Sequence, residues 1–516
     1  MRTRNSILNA VLGVSSQVII VILGFFSRKV FVDTLGIEMQ GINAALTSVI
    51  TMLSLTELGI GMAIICNLYK PLEEKDEPKI IALMQFYSKV YRAIAGVVTA
   101  LGLLVVPFID KIVLNSVNTI TVSKQYLISV FMLFLADVVI SYLYAYKRSI
   151  IIADQKNYIV TLVHTVALIF TNIFQIAILI LTKNFVFFLI FKIIFRFLEN
   201  FVISLIANKR YPCIKTKKKY KVDKDIKDNI IGNTKALALH YIGNYLISGT
   251  DMLIINKMLG AATAGIYSNY LMITTVIRET LAQFSNGITA SFGNLIALDE
   301  KEKLYESFKQ VMFISFVLAN FAAIGMFCIF NDFISIWIGP NGTLTMPVVF
   351  IIVLNSYIVI LSDPIGSLRA SAGLFRPDRY LHIFLAFLNL VVSIGLVKVI
   401  GIFGVFLGTF LCLCIKEMTF LPMIVYKNLF NKRVWHYQKR LFAYLIFTLI
   451  TGSLTYFLCS LVAIQNIFGI IIVKVIICTI VPNLLVLLVF NRTPEFKSLY
   501  QLAIRLFKEK ILKKEN

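Results

Sequence analysis

The sequence predicts an all-α polytopic membrane protein of about fourteen transmembrane helices, and three observations predict it. The chain is 58% hydrophobic with a mean hydropathy of +0.84, more than a soluble chain of 516 residues carries. Its apolar residues fall into stretches of about 18–25, the length an α-helix needs to cross ~30 Å of hydrocarbon. Its Lys and Arg residues gather in the segments joining alternate stretches.

The stretches run at about 7–32, 41–67, 80–109, 125–146, 158–182, 185–207, 229–257, 263–294, 310–331, 345–368, 380–398, 402–426, 441–462 and 467–490. Most are uniformly apolar rather than alternating, which argues against a β-barrel. With both termini cytoplasmic, inner segments hold 35 of the 50 Lys and Arg residues. Outer ends hold only Lys111, Lys124, Lys183, Lys257 and Lys398. That asymmetry sets the orientation. It also explains most of the net charge of +23 as residues facing anionic membrane lipid, and removes the case for nucleic acid. Single cysteines near Gly342 and Gln465, in a cysteine-free chain, are therefore expected to react with an impermeant thiol reagent in intact cells, and one at Lys218 is not. Labelling at Lys218 but not at Gly342 would invert the orientation.

The remaining cations lie inside the stretches, where each costs about 2.5–3.5 kcal/mol at a helix centre. Lys89 and Arg92 precede the apolar run 93–109 and read as snorkelling cations of an interfacial helix. Lys235 and Lys416 can be placed toward an interface. Lys192 and Arg196 lie near the middle of 185–207 and share one helix face with Glu199. Arg278, beside Glu279, is equally deep in 263–294. Arg28 and Lys29 close the first stretch at the end where cations are scarce.

Polar stripes accompany these charges. Asn43, Thr47, Thr51, Ser54 and Glu57 recur at helical spacing, as do Asn233, His240, Asn244, Ser248 and Asp251. Ser, Thr and Asn alone would mean hydrogen bonding between helices. Stripes that end in carboxylates fit a water-filled cavity better. Asp363 precedes Pro364, which should kink the tenth helix and free carbonyls beside the carboxylate. Buried carboxylates suit exchange of H+ or Na+, so Glu57, Asp251 and Asp363, with Asn244 on the second stripe, are the candidate polar and coupling residues.

The chain also repeats itself. "LGIEMQGI" from Leu35 joins the first two stretches, and "LGAATAGI" from Leu259 joins the seventh and eighth. Both read Leu-Gly-x4-Gly-Ile, and the topology makes the two halves parallel repeats about an axis along the membrane normal. Other chemistry is absent from the pattern. His164, His240, His382 and His436 have no metal spacing. The seven cysteines are scattered, Cys412 and Cys414 reading as packing residues. No P-loop appears, which argues against an ATP-driven pump. The first stretch lacks a small-residue cleavage site, so no removable signal peptide is read. The outer loops are too short for a glycosyltransferase or polymerase, and neither an enzyme activity nor a cofactor is expected.

Particular strings carry a resemblance. "LSLTELGIGMAIICNLYKPL" at 53–72, "YAYKRSIIIADQKNY" at 144–158, "SFGNLIA" at 291–297, "RASAGLFRPDRY" at 369–380 and "LNLVVSIGLVKVIGIFGVFLGT" at 388–409 resemble polysaccharide exporters of the multidrug/oligosaccharidyl-lipid/polysaccharide (MOP) superfamily. The likeness runs from about residue 5 to 430, nearest to Wzx-type flippases and more distantly to MurJ. It implies a six-helix lobe at 1–208, a basic cytoplasmic loop at 209–228, a second six-helix lobe at 229–430, and two further helices with a basic tail at 431–516. It implies a central cavity between the lobes. The implied activity moves undecaprenyl-diphosphate-linked oligosaccharide across the bacterial cytoplasmic membrane to the outer leaflet. A polysaccharide polymerase and a chain-length regulator would be partners. Relatives carry cavity-facing cations on the first and eighth helices, which Arg28 and Arg278 match in helix and depth. Lys192 and Arg196 match no motif of the family but join them as candidate ligands of the diphosphate, since guanidinium forks give bidentate hydrogen bonds. The alternative is a MATE-like cation or drug antiporter of the same superfamily. The acidic residues Glu57, Asp137, Asp251 and Asp363 would serve that function.

Overall fold

The computed structural model describes residues 2–54, 60–114, 122–216, 218–222, 227, 242–243, 245–247, 249–298, 300–374, 377, 380–462, 464 and 466–501. Every regular element among them is helical. The chain divides into two compact units, Met1–Ser268 and Asn269–Asn516.

The first unit contains α1 (Arg2–Leu35), α2 (Ile37–Ser54), α3 (Ile60–Glu74), α4 (Glu77–Val105), α5 (Lys124–Ala153), α6 (Asn157–Thr182) and α7 (Phe185–Arg210). Local chemistry sets their starts. Asp76 accepts from the Lys79 amide ahead of α4, Ser123 from the Tyr126 amide ahead of α5, and Asn184 from the Val186 and Phe187 amides ahead of α7. α1 packs chiefly along α6, and α5 packs against α4 and α7. Phe31 of α1 meets Phe185 and Phe188 of α7 edge-on, with centroids 5.4 Å apart in both pairs. Residues 249–259 are helical and lead into α8 (Ala261–Ala297), whose first turns belong to this unit.

The rest of α8 opens the second unit, followed by α9 (Lys301–Trp337), α10 (Met346–Ser371), α11 (Leu381–Ile400), α12 (Ile402–Leu413), α13 (Trp435–Ser460) and α14 (Ile467–Phe490). Here α9 is the hub, touching α10, α13 and α14. Phe316 of α9 stacks on Tyr444 of α13 at 4.1 Å, and Phe490 of α14 closes on both rings. This aromatic cluster seats the final helix pair. The turn after α9 is pinned from inside: the Leu344 amide donates to the Tyr270 hydroxyl at 2.8 Å, and Asn331 donates to the Leu344 carbonyl at 2.9 Å. α12 continues through two π-helical stretches, Cys414–Phe420 and Tyr426–Phe430, on either side of Leu421–Val425. α10 runs on as helix through Pro364.

Among the described residues nine helical segments are long and apolar enough to span a bilayer: Glu77–Val113, Lys124–Ala153, Asn157–Thr182, Lys301–Trp337, Met346–Ser371, Leu381–Ile400, Ile402–Phe430, Trp435–Ser460 and Ile467–Phe490. The chain is a multi-pass membrane protein. α7 is equally long but carries Lys192, Arg196 and Glu199 in its middle, so it is too charged to count on composition alone. Lys89 and Arg92 lie on α4, which continues unbroken into the apolar run. Most of the 229–257 stretch, with Asn233, Lys235, His240, Asn244 and Ser248, lies outside the described residues, as does Glu57.

Candidate functional site

Two buried carboxylates of the first unit, Asp137 and Glu199, join in one network across three helices. Asp137 of α5, almost fully buried, accepts Lys192 Nζ at 3.1 Å and Arg196 Nε at 3.3 Å, both from α7. Three residues on, Glu199 takes Arg196 Nη1 at 3.6 Å, Arg148 Nη2 of α5 at 2.7 Å and His164 Nδ1 of α6 at 3.0 Å. Arg148 also donates to Asn200 Oδ1 at 3.3 Å, and Lys147 donates to Ser204 at 2.6 Å. The carboxylates are buried, at 4% and 9% side-chain exposure, while Lys192, Arg196, Arg148 and His164 are near one-third exposed. The buried anions thus hold a row of cations whose outer edges remain reachable. Positive charge exceeds negative: Arg148, Lys192 and Arg196 stand against Asp137 and Glu199. Arg148 Nε and Asn200 Nδ2 are buried donors that meet no acceptor among the described residues.

Two helix spacings build this row. On α7, Lys192, Arg196 and Glu199 recur at i, i+4 and i+7, so one face carries all three. On α5, Asp137 and Arg148 are three turns apart on the strip that faces α7. The α7 face was legible in the sequence. Arg148 reads there as a topogenic loop cation and His164 only as a histidine without metal spacing, because nothing in spacing shows that either reaches Glu199.

Arg28 occupies a separate position in the same unit. Its Nη1 donates to Ser268 Oγ at 2.9 Å, Gln40 Nε2 reaches the same oxygen at 3.4 Å, and Ser268 itself donates to the Gly265 carbonyl at 2.7 Å. Its neighbour Lys29 instead turns to Asp33 at 2.8 Å on an exposed edge. Arg28 and Lys29 therefore have different environments. Gly265, one of the repeated glycines, lies beside Ser268. Gly36 and Gly260 both have positive φ, +86° and +95°, and both join consecutive helices. Gly41 and Gly265 meet reciprocally. A Cβ on Gly41 would fall 1.8 Å from the Ala261 carbonyl oxygen, and one on Gly265 would fall 2.0 Å from that of Ile37.

The other candidates are dispersed. Arg278 and Glu279 lie on an exposed face of α8 in the second unit. Asp251 is 2% exposed in the helical residues 249–259 of the first unit. Asp363 is half-buried on α10. Glu57 and Asn244 lie outside the described residues. The hydroxyls of the first polar stripe turn back on their own helix: Thr47 donates to the Asn43 carbonyl at 2.7 Å, Thr51 to Thr47 at 2.8 Å and Ser54 to Ile50 at 2.9 Å.

The "YAYKRSIIIADQKNY" string forms the end of α5, the start of α6 and the turn between them. Asp154 accepts Lys156 Nζ at 2.5 Å and the Tyr211 hydroxyl at 2.6 Å. Burial, then the Asp154 carboxylate, pushes the Tyr211 phenol above its ordinary range. Asn9 of α1 clamps the same turn, donating to the Gln155 carbonyl at 3.2 Å and accepting from the Tyr158 amide at 2.6 Å.

The fold is similar to that of solved transporters of the MOP superfamily. The structure is similar to "Lipid II flippase MurJ, inward closed conformation" at TM-score 0.68 and 14% identity, covering 94% of this chain and 99% of that one. It is also similar to an inward-facing multidrug resistance MATE family transporter of the MOP superfamily at TM-score 0.63 and 14% identity, covering 79% and 94%. A third similarity is to a MOP superfamily transporter from Pyrococcus furiosus, described as having a binding pocket of reverse polarity, at TM-score 0.56 and 14% identity, covering 84% and 96%. No protein-family model matches the sequence. No curated protein matches it either.

Proposed function

We propose that the protein is a flippase that carries polyprenyl-diphosphate-linked oligosaccharide from the inner to the outer leaflet of a bacterial cytoplasmic membrane, with both termini cytoplasmic. The observation that carries this reading is the charge balance of the first unit. Three cations pair with two buried carboxylates, two buried donors beside Glu199 meet no acceptor among the described residues, and Arg28 adds a further guanidinium. A diphosphate needs partners for its charges throughout a bilayer crossing, and guanidinium groups supply them. The sequence strings and the fold shared with a lipid II flippase agree with such a cargo. Undecaprenyl is the lipid, and capsule, exopolysaccharide or O-antigen-type assembly the setting, that the resemblance favours. A polymerase and chain-length regulator would act on the delivered unit. Arg28, Lys192, Arg196 and Arg278 are assigned to the diphosphate. Glu57, Asn244, Asp251 and Asp363 are assigned to the polar and coupling path for H+ or Na+.

The second reading, a cation or drug antiporter, draws on the fold shared with a MATE transporter and on the deep burial of Asp251. Complementation of a flippase-deficient strain separates the two readings, with membrane protein level measured for each variant. Arg28→Ala is expected to reduce polymer export about tenfold or more, since a charge-assisted contact contributes roughly 1.5–3 kcal/mol. Arg28→Lys should rescue only part, because a point charge lacks the fork. Arg196→Ala and Arg278→Ala are expected to fall likewise, and Lys89→Ala to export like the parent. Normal export from all three arginine variants at normal protein levels would end the anionic-cargo reading. Replacing Asp251 by Asn should change the dependence on proton or sodium gradients; unchanged dependence would place coupling elsewhere.

A further inference from the structure

Three cysteines far apart in sequence converge inside the second unit. Cys328 of α9, Cys459 of α13 and Cys478 of α14 are all buried, and their sulfurs lie within 4.8 Å of one another, with Cys459 and Cys478 at 4.0 Å. Ile324, Ile329 and Ile477 wall the group from its surroundings. One turn from Cys328, Asp332 receives Lys474 Nζ at 2.5 Å, and Lys474 stands one turn from Cys478. Packing alone would place single cysteines among aliphatic side chains; here three meet on three helices with an ammonium group beside them.

The geometry points to a trigonal thiolate site for one soft monovalent metal ion, Cu(I) by chemical class. An ion at the centre of a sulfur triangle with 4.0 Å edges would lie about 2.3 Å from each sulfur, which is the usual metal–thiolate bond length. The 4.8 Å outer limit requires a contraction of only a few tenths of an ångström per bond. A structural zinc site wants four ligands in a tetrahedron, and the described residues bring together three. Soft thiolates with three donors instead suit Cu(I). Each thiol that ligates gives up its proton, so binding releases protons and leaves excess negative charge on sulfur. The Lys474 ammonium is placed to offset part of that charge.

The test uses the full chain purified in detergent under anaerobic, reducing conditions. Cu(I) is titrated against a colorimetric chelator, in a background with Cys66, Cys213, Cys412 and Cys414 replaced by Ala. About one equivalent should bind, with a thiolate-to-copper absorption band in the ultraviolet. Cys328→Ser and Cys478→Ser should each abolish that band. Cys328→Ala, which keeps the site apolar, serves as the second variant if serine prevents folding. Loss of binding in a monodisperse Cys328→Ala protein supports the site. Retention there would mean that Cys459 and Cys478 bind as a two-coordinate dithiol without Cys328, and would overturn the trigonal site. Absence of binding by the four-alanine parent would also overturn it, leaving the cluster as packing.

Discussion

Replacing Glu199 by leucine is expected to lower the stability of the purified protein by about 3 kcal/mol, at the low end of the 3–5 kcal/mol for breaking a buried ion pair. The low end applies because the stranded partners, Arg148, Arg196 and His164, are near one-third exposed and can turn outward. Their charges would otherwise repel across a gap that Glu199 now fills. Glu199→Gln should fall between parent and leucine, since the amide keeps a hydrogen bond to His164 but not the charge. The double variant Arg148→Met, Glu199→Leu should recover part of the loss, as apolar replacement of a whole buried pair often does. The measurement is thermal unfolding in detergent, together with the yield of folded protein. A Glu199→Leu protein as stable as the parent would mean that the network contributes nothing to holding α5, α6 and α7 together.

Gly41→Val should be the most damaging single change in the two repeated glycine hairpins. Even alanine would put a methyl group 1.8 Å from the Ala261 carbonyl oxygen, and that obstacle is backbone, which has no rotamer to yield. Overpacking of this kind costs about 1–3 kcal/mol when neighbours can shift. Valine adds two further carbons, so the helices must separate along their length. Gly265→Val should do the same from the other side, against the Ile37 carbonyl. Gly96→Ala is the control. Nothing lies within 4 Å of its added Cβ, and mid-helix alanine should be neutral or stabilising by up to about 1 kcal/mol. Folded yield and melting temperature of the variants check the ordering. If Gly41→Ala melts with Gly96→Ala, the crossing is looser than the distances imply.

The helical architecture was legible because two signals agree over long stretches: apolar runs of bilayer length, and loop charge that alternates between connections. The capping roles of Ser123 and Asn184 were not read from the sequence and come from the structure. The repeat at Leu35 and Leu259 was legible too, but its physical content was not. Spacing shows that Gly41 and Gly265 correspond, and only their packing in the folded chain shows that each needs to be glycine because of the other. The site was half legible. Lys192, Arg196 and Glu199 announce themselves as a face of one helix, since the helical period acts within a segment. Asp137, Arg148 and His164 are their partners through tertiary packing, which no periodicity encodes. Cys328, Cys459 and Cys478 were invisible for the same reason.

The attachment of α1 to α6 has a consequence for how the chain is made. The Asn9 clamp on Tyr158 and the buried hydrogen bond from Thr165 to Ser16 each join residues 149 apart. At ~5–20 residues per second, ribosomes need roughly 7–30 s to supply that interval. Throughout it the first segment sits in the bilayer with Asn9 and Ser16 lacking their eventual partners, and with its main packing surface facing lipid or the insertion machinery. Biogenesis must therefore tolerate a polar-marked helix in storage until the fifth stretch emerges to take it up.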